Sequence, residues 1–399
     1  MPLLKDKNIL LGVTGSIAAY KALELVRLFT KSGANVRVLM SEDAKRFISP
    51  LSFEALSKNA VLEAVTESWS NDNNHIFINK WADVFLIAPA TANTINKLAH
   101  GIADNLLTST ALAFTKPILI APAANTAMFL HATTQSSLEK LKSFGHKVIA
   151  SQDKLLACDD KGEGALAEPK ALFFETARVL LSSDFWRGRE AVVTGGGTVE
   201  KIDDVRYISN FSSGKMAESL ATALFLKGAD VTYIQSVSSK EADLPIKRLF
   251  VKSSDEMLSV LNDTLKSLKL NPFLFMAAAV SDYKPSEAKK GKIKKEELGN
   301  EFDLKLVKTK DLLKEIDKKA LKVIGFKAEL DKSNAENCAL YMLKNKNLDA
   351  VCLNIIDELN PFGSPDNEIT FITKKGTLKL AKKPKLDISF DILEHCEEL

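Results

Sequence analysis

Residues 192–216 read VVTGGGTVEKIDDVRYISNFSSGKM. A β-branched run ends in Gly195-Gly196-Gly197. Asp203, Asp204, Arg206 and Asn210 then crowd into a short segment, and a small-residue turn, Ser212-Ser213-Gly214-Lys215, closes it. A strand running into glycines and then into a helix opens a nucleotide-type α/β unit, because without a Cβ the backbone N–H groups can approach phosphate closely. The stretch lies mid-chain, so a second unit of this kind follows a complete first one.

Outward from that stretch, the chain is too long, at 399 residues, for one ordinary core, and two domains are expected, 1–187 and 188–399. A hydrophobic share of 46% with 26% charged residues is that of a soluble globular protein. The net charge of +3 gives no global field toward nucleic acid or a membrane surface. The N-terminus runs straight into strand and helix signals, without a leader pattern, and no stretch approaches the ~20 apolar residues of a membrane span. Cys158, Cys338, Cys352 and Cys396 form no CxxC and are widely scattered. That argues against a disulfide framework or zinc site and for a reducing, cytoplasmic setting.

Asn8–Val13, Asn35–Met40, 82–88 and 117–121 read as buried strands separated by helical patterns, the first helix covering Ser16–Lys31. The segment 181–190 reads as a linker. The pattern then restarts with strands at 191–194, 230–234, 273–280 (FLFMAAAV), 322–326 and 348–353, and it ends in a hairpin, ITFITKKGTLKL, with a short amphipathic tail. Near-continuous apolar strands alternating with helices predict parallel sheets, whose ligands bind beyond the strands' carboxyl ends.

In the first half, Gly12-Val13-Thr14-Gly15-Ser16 is a strand-to-helix turn suited to phosphate. The third glycine of a dinucleotide fingerprint is missing, and the second strand ends at Ser41 rather than at an acid, which favours a mononucleotide over NAD. Pro89-Ala90-Thr91-Ala92-Asn93-Thr94 leaves room for a flat ring with a polar edge, and equally reads as a helix N-cap turn. His75, Asn125 and Cys158 are the remaining candidates. By type alone they also read as a satisfied histidine, a turn former and buried filler, although Cys158 sits in a charged, glycine-containing loop suited to a flap.

In the second half, Gly214-Lys215 is followed by Met216, so this is not a Walker A loop. MAAAVSDY is a run of tiny residues reaching Asp282, which can hold a cation or a base edge or simply follow tight packing. Six lysines fall between Lys284 and Lys295. The KKGKIKK segment is a solvated face or a loop that folds over triphosphate.

GVTGSIAAYKALELVRLF, His75, APATANTINKLAHGIADNLL, the APAAN loop and the Cys158 segment, followed by VTGGGT, DDVRYISNFSSGKM, MAAAVSDY, KIKK, GFKAE and KNLDAV, resemble the bifunctional phosphopantothenoylcysteine decarboxylase/phosphopantothenate–cysteine ligases over nearly the whole chain. The resemblance implies a flavodoxin-like, Rossmann-like N-terminal domain and a Rossmann-like C-terminal domain, both doubly wound α/β. It implies FMN at Gly15, Ser16, Ser41, Pro89, Ala90, Thr91 and Asn93, with His75 as base, Asn125 as a clamp on the substrate carboxylate and Cys158 as proton donor. It further implies CTP, delivered with Mg²⁺, at Asp282, Lys292, Phe326 near the base and Lys346 near the phosphates. Asn210 is implied at the acyl-cytidylate, supported by Arg206, with Lys292 also catalytic. The implied substrates are 4′-phosphopantothenate, cysteine and CTP, in a homo-oligomer that holds FMN between subunits. Ala124, Ala165 and Leu166 stand where the family has Met, Arg and Met, and Met342 stands near a family lysine, with Lys344 beside it. The readings weighed against this one are an NAD-dependent oxidoreductase and a non-enzymatic regulatory flavoprotein.

Overall fold

Asn8–Val13 (β1), Asn35–Met40 (β2), Val84–Ala90 (β3), Ile118–Pro122 (β4) and Lys147–Val148 (β5) form a parallel sheet in the order β2-β1-β3-β4-β5. The computed structural model describes residues 2–70, 72–156, 161–236, 244–269, 271–294, 301–358 and 360–399. The chain divides into two compact units, residues 1–181 with 243–245, and 182–242 with 246–399.

The first unit's strands are apolar because helices cover both faces of the sheet. All seven residues of β3 are buried, and Leu10, Phe85, Ile87 and Ile120 anchor the core. The strand order reverses between β1 and β3, which opens a crevice at their carboxyl ends. Two boundaries differ from expectation. Ser16 is extended and its side chain caps a 3₁₀ turn at Ile17–Ala19, so the α-helix begins only at Tyr20. Ala82 still bonds back to Ile78 in the preceding helix, which delays β3 to Val84. Gln152–Leu155 (β6) and Lys161–Ala165 (β7) form a hairpin; residues 157–160, with Cys158 among them, lie outside the described residues.

In the second unit, Glu190–Gly195 (β8) is followed by a small ribbon of Glu200–Lys201 (β9) and Tyr207–Ile208 (β10). Asp230–Ser236 (β11), Lys247–Val251 (β12) and Phe273–Met276 (β13) come next, then a second ribbon of Tyr283–Pro285 (β14) and Leu306–Lys308 (β15). Lys322–Glu329 (β16), Ala350–Ile355 (β17), Asp366–Thr373 (β18) and Gly376–Pro384 (β19) complete an eight-stranded sheet in the order β12-β11-β8-β13-β16-β17-β18-β19. It is parallel as far as β17, and β18 and β19 are antiparallel. Val192, Ile234, Leu274, Val323 and Val351 lie in its core. On the outer strand β19 only Leu380 is buried, and Lys379, Lys382, Lys383 and Pro384 lie along it.

The expected strand 273–280 stops at Met276. Beyond it the chain leaves the sheet to meet the glycine turn: Ala279 N–H donates to Gly196 O (2.9 Å) and Thr198 N–H to Ala279 O (3.2 Å). Tiny side chains at Ala277–Ala279 are what allow that crossing. Gly195 lies beneath Ala217, at the start of the helix Lys215–Leu226, and against Tyr233; a Cβ on it would stand 2.8 Å from the Tyr233 ring and closer still to the Ala217 methyl. Gly195→Ala is therefore expected to destabilise the second unit by about 1–3 kcal/mol; a denaturation midpoint unchanged from wild type contradicts this packing.

Candidate functional site

Four turns converge at the carboxyl ends of the first unit's strands. The Thr14 hydroxyl donates to Pro89 O (2.7 Å) and accepts from Thr91 N–H (3.0 Å), joining the β1 turn to the β3 turn. Gly15 packs on Asp43, just beyond Ser41, with no room for a Cβ. Ser16 accepts from Ala18 N–H, Ser41 from Ala44 N–H, Thr91 from Thr94 N–H and Asn125 from Ala127 N–H. Each is an N-cap, so the capping reading of Thr91 and the turn reading of Asn125 both hold. Pro89 and Ala90 are buried, while Asn93 is exposed on the first turn of the helix Ala92–Ala99. Helix starts and neutral hydroxyls gathered at one sheet edge make a donor set suited to phosphate and to sugar hydroxyls.

His75 opens the helix His75–Trp81, and its own partners lie elsewhere. Its Nδ1 is 2.5 Å from Glu67 Oε1, and its ring stands edge-on to Trp69. A carboxylate can only accept, so Nδ1 carries a proton in this contact, and in the neutral ring Nε2 is the acceptor. The β6–β7 hairpin rests on the Asn125 loop. Ala124 N–H donates to Gly164 O (2.9 Å), and Gly164, at φ +117°, passes so near that a Cβ would lie 2.5 Å from Ala124 O. Gly162 approaches Thr126 in the same way. Glu168, just past the hairpin, bonds Lys21 (3.0 Å) and Lys154 (2.7 Å). The Lys154 bond is foremost in holding the Glu168 carboxyl below the usual carboxylate range.

The second unit holds a cleft of about 1440 Å³ lined by the carboxyl ends of its parallel strands. Asn210, Asp282, Phe326 and Lys346 all line it. Asn210 Nδ2 donates to Val280 O (3.0 Å), and Lys346 pairs with Asp311 (3.1 Å). Met342 is a wall residue, whereas Lys344 is exposed and not part of the lining. Phe211, Tyr341 and Phe362 line the cleft while remaining 87%, 69% and 54% exposed. Large rings left in solvent at a cleft mouth suit stacking on a flat ligand, and the sequence reading passed over all three.

Arg206 and Lys292 are not lining residues of that cleft. They belong to a clamp. The Asp203 carboxylate accepts from the N–H groups of Val205 (2.7 Å), Arg206 (2.6 Å) and Ile293 (3.2 Å), with the Arg206 guanidinium 3.4 Å away. Asp204 accepts from Gly291 N–H (2.7 Å), and Arg206 donates to Ile293 O (3.3 Å). The alternation in KGKIK now has a reason: Gly291 and Ile293 face the clamp, and Lys292 and Lys294 are left exposed. Enclosure works to raise the Asp203 carboxyl, but the three backbone donors and Arg206 outweigh it and hold it below the usual range. A carboxyl with a depressed folded-state pKa stabilises the clamp above its ordinary value of about 4, and that stabilisation fades only as the pH falls through the lower folded value. Asp203→Asn sets an N–H₂ against Ile293 N–H or the backbone donors of Val205 and Arg206. It should speed tryptic cleavage at Lys289–Lys294 at neutral pH, where the wild-type clamp is fully formed; equal cleavage rates in the two proteins contradict the clamp.

A flavoprotein family model matches residues 3–180, and a model described as the DNA/pantothenate metabolism flavoprotein C-terminal domain matches residues 186–399. The chain is 35% identical over 399 residues to the coenzyme A biosynthesis bifunctional protein CoaBC of Haemophilus influenzae, covering 99% of this chain and 98% of that protein. It is 36% identical over 408 residues to the protein of the same name from Bacillus subtilis, covering 100% and 98%. A crystal structure of the C-terminal domain of such a protein aligns with 54% of this chain and 97% of its own at 26% identity, with a TM-score of 0.44. With both halves matched in order and the full length shared, the chain belongs to the family of coenzyme A biosynthesis bifunctional proteins and is a bifunctional flavoprotein enzyme.

Proposed function

We propose that the second unit joins 4′-phosphopantothenate to cysteine at the expense of CTP and that the first unit decarboxylates the product to 4′-phosphopantetheine. The observation that carries the ligase half is the cleft itself. Its volume of about 1440 Å³ exceeds the ~300–1,000 Å³ of an ordinary small-molecule site, so a nucleotide and a second substrate fit together. Lys215, Lys308, Lys310, Lys327, Lys346 and Lys385 line it, matching polyanionic ligands. A carboxylate is a poor electrophile because its leaving group would be oxide. Its oxygen attacks the α-phosphorus of CTP, pyrophosphate leaves, and the acyl-cytidylate carries CMP as a good leaving group. The cysteine amine then forms the amide, expelling CMP and losing a proton. Asn210 donates an amide N–H to the intermediate without ion pairing, Phe326 borders the base, and Lys346 stabilises the departing charge, with Lys292 assigned to the same charge from the clamped loop outside the lining. Mg²⁺ would enter as the nucleotide complex, with Asp282 in the lining to help hold it.

In the first unit, the donor set at Gly15, Ser16, Ser41 and Pro89–Asn93 fits FMN, its phosphate at the helix starts and its ring beside the small residues. Bound FMN would supply a two-electron acceptor that makes loss of CO₂ from the cysteinyl carboxylate feasible and would hand the same two electrons back, so that the decarboxylation is redox-neutral overall. His75, held by Glu67, takes a proton at Nε2. Asn125 holds the substrate carboxylate, and the hairpin lying on its loop excludes water. Cys158, outside the described residues, is assigned the return of a proton to carbon. The setting is the cytoplasm, in a homo-oligomer with the flavin between subunits; no helix among the described residues is long and apolar enough to cross a membrane.

Mass spectrometry of a mixture of 4′-phosphopantothenate, cysteine, CTP and Mg²⁺ tests the assignment. The full chain with FMN is expected to yield 4′-phosphopantetheine, and without FMN only the ligated acid; neither product, with CTP intact, overturns it. Glu67→Gln should slow decarboxylation about 10–100-fold by freeing the His75 tautomer while leaving ligation unchanged. Equal decarboxylation rates would remove His75 from that role.

A further inference from the structure

The first unit holds a cavity of about 360 Å³ at the end of its sheet away from the glycine turns, within the ~300–1,000 Å³ of small-molecule sites. Phe114 leads into β4 and Ile118 begins it. Leu98 and Ala99 end the helix Ala92–Ala99, whose other end carries the Thr91 cap at the flavin rim. The floor, made by Phe114, Ile118, Ile120 and Leu141, is buried. Ile102, Leu112 and Phe144 also line the cavity, yet keep 48%, 65% and 57% of their surface in solvent.

The polar groups of this cavity are few and of one sign, with no Asp or Glu in the lining. The Lys140 ammonium stands 5.8 Å from the Phe144 ring centroid and has no ion pair among the described residues, while Lys142 takes the neighbouring Glu139. His146 Nδ1 accepts from Ile118 N–H (3.2 Å), so in the neutral ring the proton sits on Nε2 as a donor. Burial lowers the His146 pKa and favours that neutral form. His100 Nδ1 and the Thr108 hydroxyl, also in the lining, already donate to Asn96 O (2.8 Å) and Asn105 O (3.1 Å). An ammonium without a counter-ion and an N–H without an acceptor among the described residues thus border an apolar floor.

We propose that this cavity binds a small amphipathic monoanion, a medium-chain carboxylate, with its chain on Phe114, Ile118 and Leu141 and its carboxylate received by Lys140 and the His146 Nε2–H. The chain and the exposed apolar rim leave water together, which supplies the driving force. One ammonium and one neutral donor match a single negative charge through charge-assisted bonds. A phosphate dianion would leave charge unmatched against the apolar floor. The site lies apart from the flavin rim and depends on neither proposed reaction.

Calorimetric titration of the full chain tests the site with octanoate below its micelle-forming concentration, with octanol and with acetate. Octanoate is expected to saturate a single site per chain, octanol to bind more weakly through the same tail, and acetate not to bind. Lys140→Gln should weaken octanoate about tenfold, the loss of one charge-assisted contact, and leave octanol unchanged. Ala111→Phe, which fills the cavity, should abolish binding of both; if that variant does not fold, Lys140→Gln decides alone. Failure of octanoate to saturate the wild type overturns the site. So does Lys140→Gln with octanoate affinity unchanged, or with an equal loss for octanol. Leu112→Asp is expected to leave the sedimentation coefficient of the protein unchanged; a shift to a smaller species shows that a second copy of the chain covers this rim, and overturns the proposal as well.

Discussion

Burial of both faces of the two central sheets is the constraint from which the rest follows. A strand such as β3, with every residue enclosed, has nowhere to keep a charged or hydrogen-bonding side chain except past its end. The ladder itself consumes the backbone polar groups along the strand, and only at the carboxyl terminus do they come free. The chemistry of each unit is thereby driven to one rim. In the first unit four strand ends each carry a capping side chain. In the second, the ends of β13, β16 and β17 bound the cleft.

Glycine and alanine then decide how close those ends may come. Gly195–Gly197 and Ala277–Ala279 meet through backbone bonds that side chains would block. In the first unit Gly162 and Gly164 bring the hairpin down onto the Asn125 loop. Charged groups are positioned over this scaffold indirectly. Asp203 and Asp204 present no chemistry to the cleft. They hold the backbone of Gly291 and Ile293, so that the neighbouring lysines are presented from a defined place rather than from a free chain. Arg206 serves the same clamp.

Much of this could be read from residues alone. Continuous apolar runs, polar residues just beyond them, and the β18–β19 hairpin reported the parallel architecture and the rim that carries the sites. Contacts between distant segments could not be read. Glu67 lies eight residues before His75 with an irregular stretch between, so no periodicity pairs them. Asp203 and Ile293 are separated by ninety residues, and nothing local marks either as the other's partner. FLFMAAAV has the composition of a strand throughout, but its second half yields to the stronger demand of unpaired groups at the glycine turn. Tyr341 and Lys385 reach the cleft from helices whose local sequence speaks only of an amphipathic element.

The outer strand of the second sheet has a consequence of another kind. An open edge presents a row of unused amides and carbonyls to any extended chain nearby, which is how folded proteins zip into aggregates. Strand β19 sets Lys379, Lys382 and Lys383 along that row and ends it at Pro384. Bringing two such borders together would stack like charges and meet a residue with no amide to share. The same hairpin that completes the sheet thus works against a second sheet docking along β19.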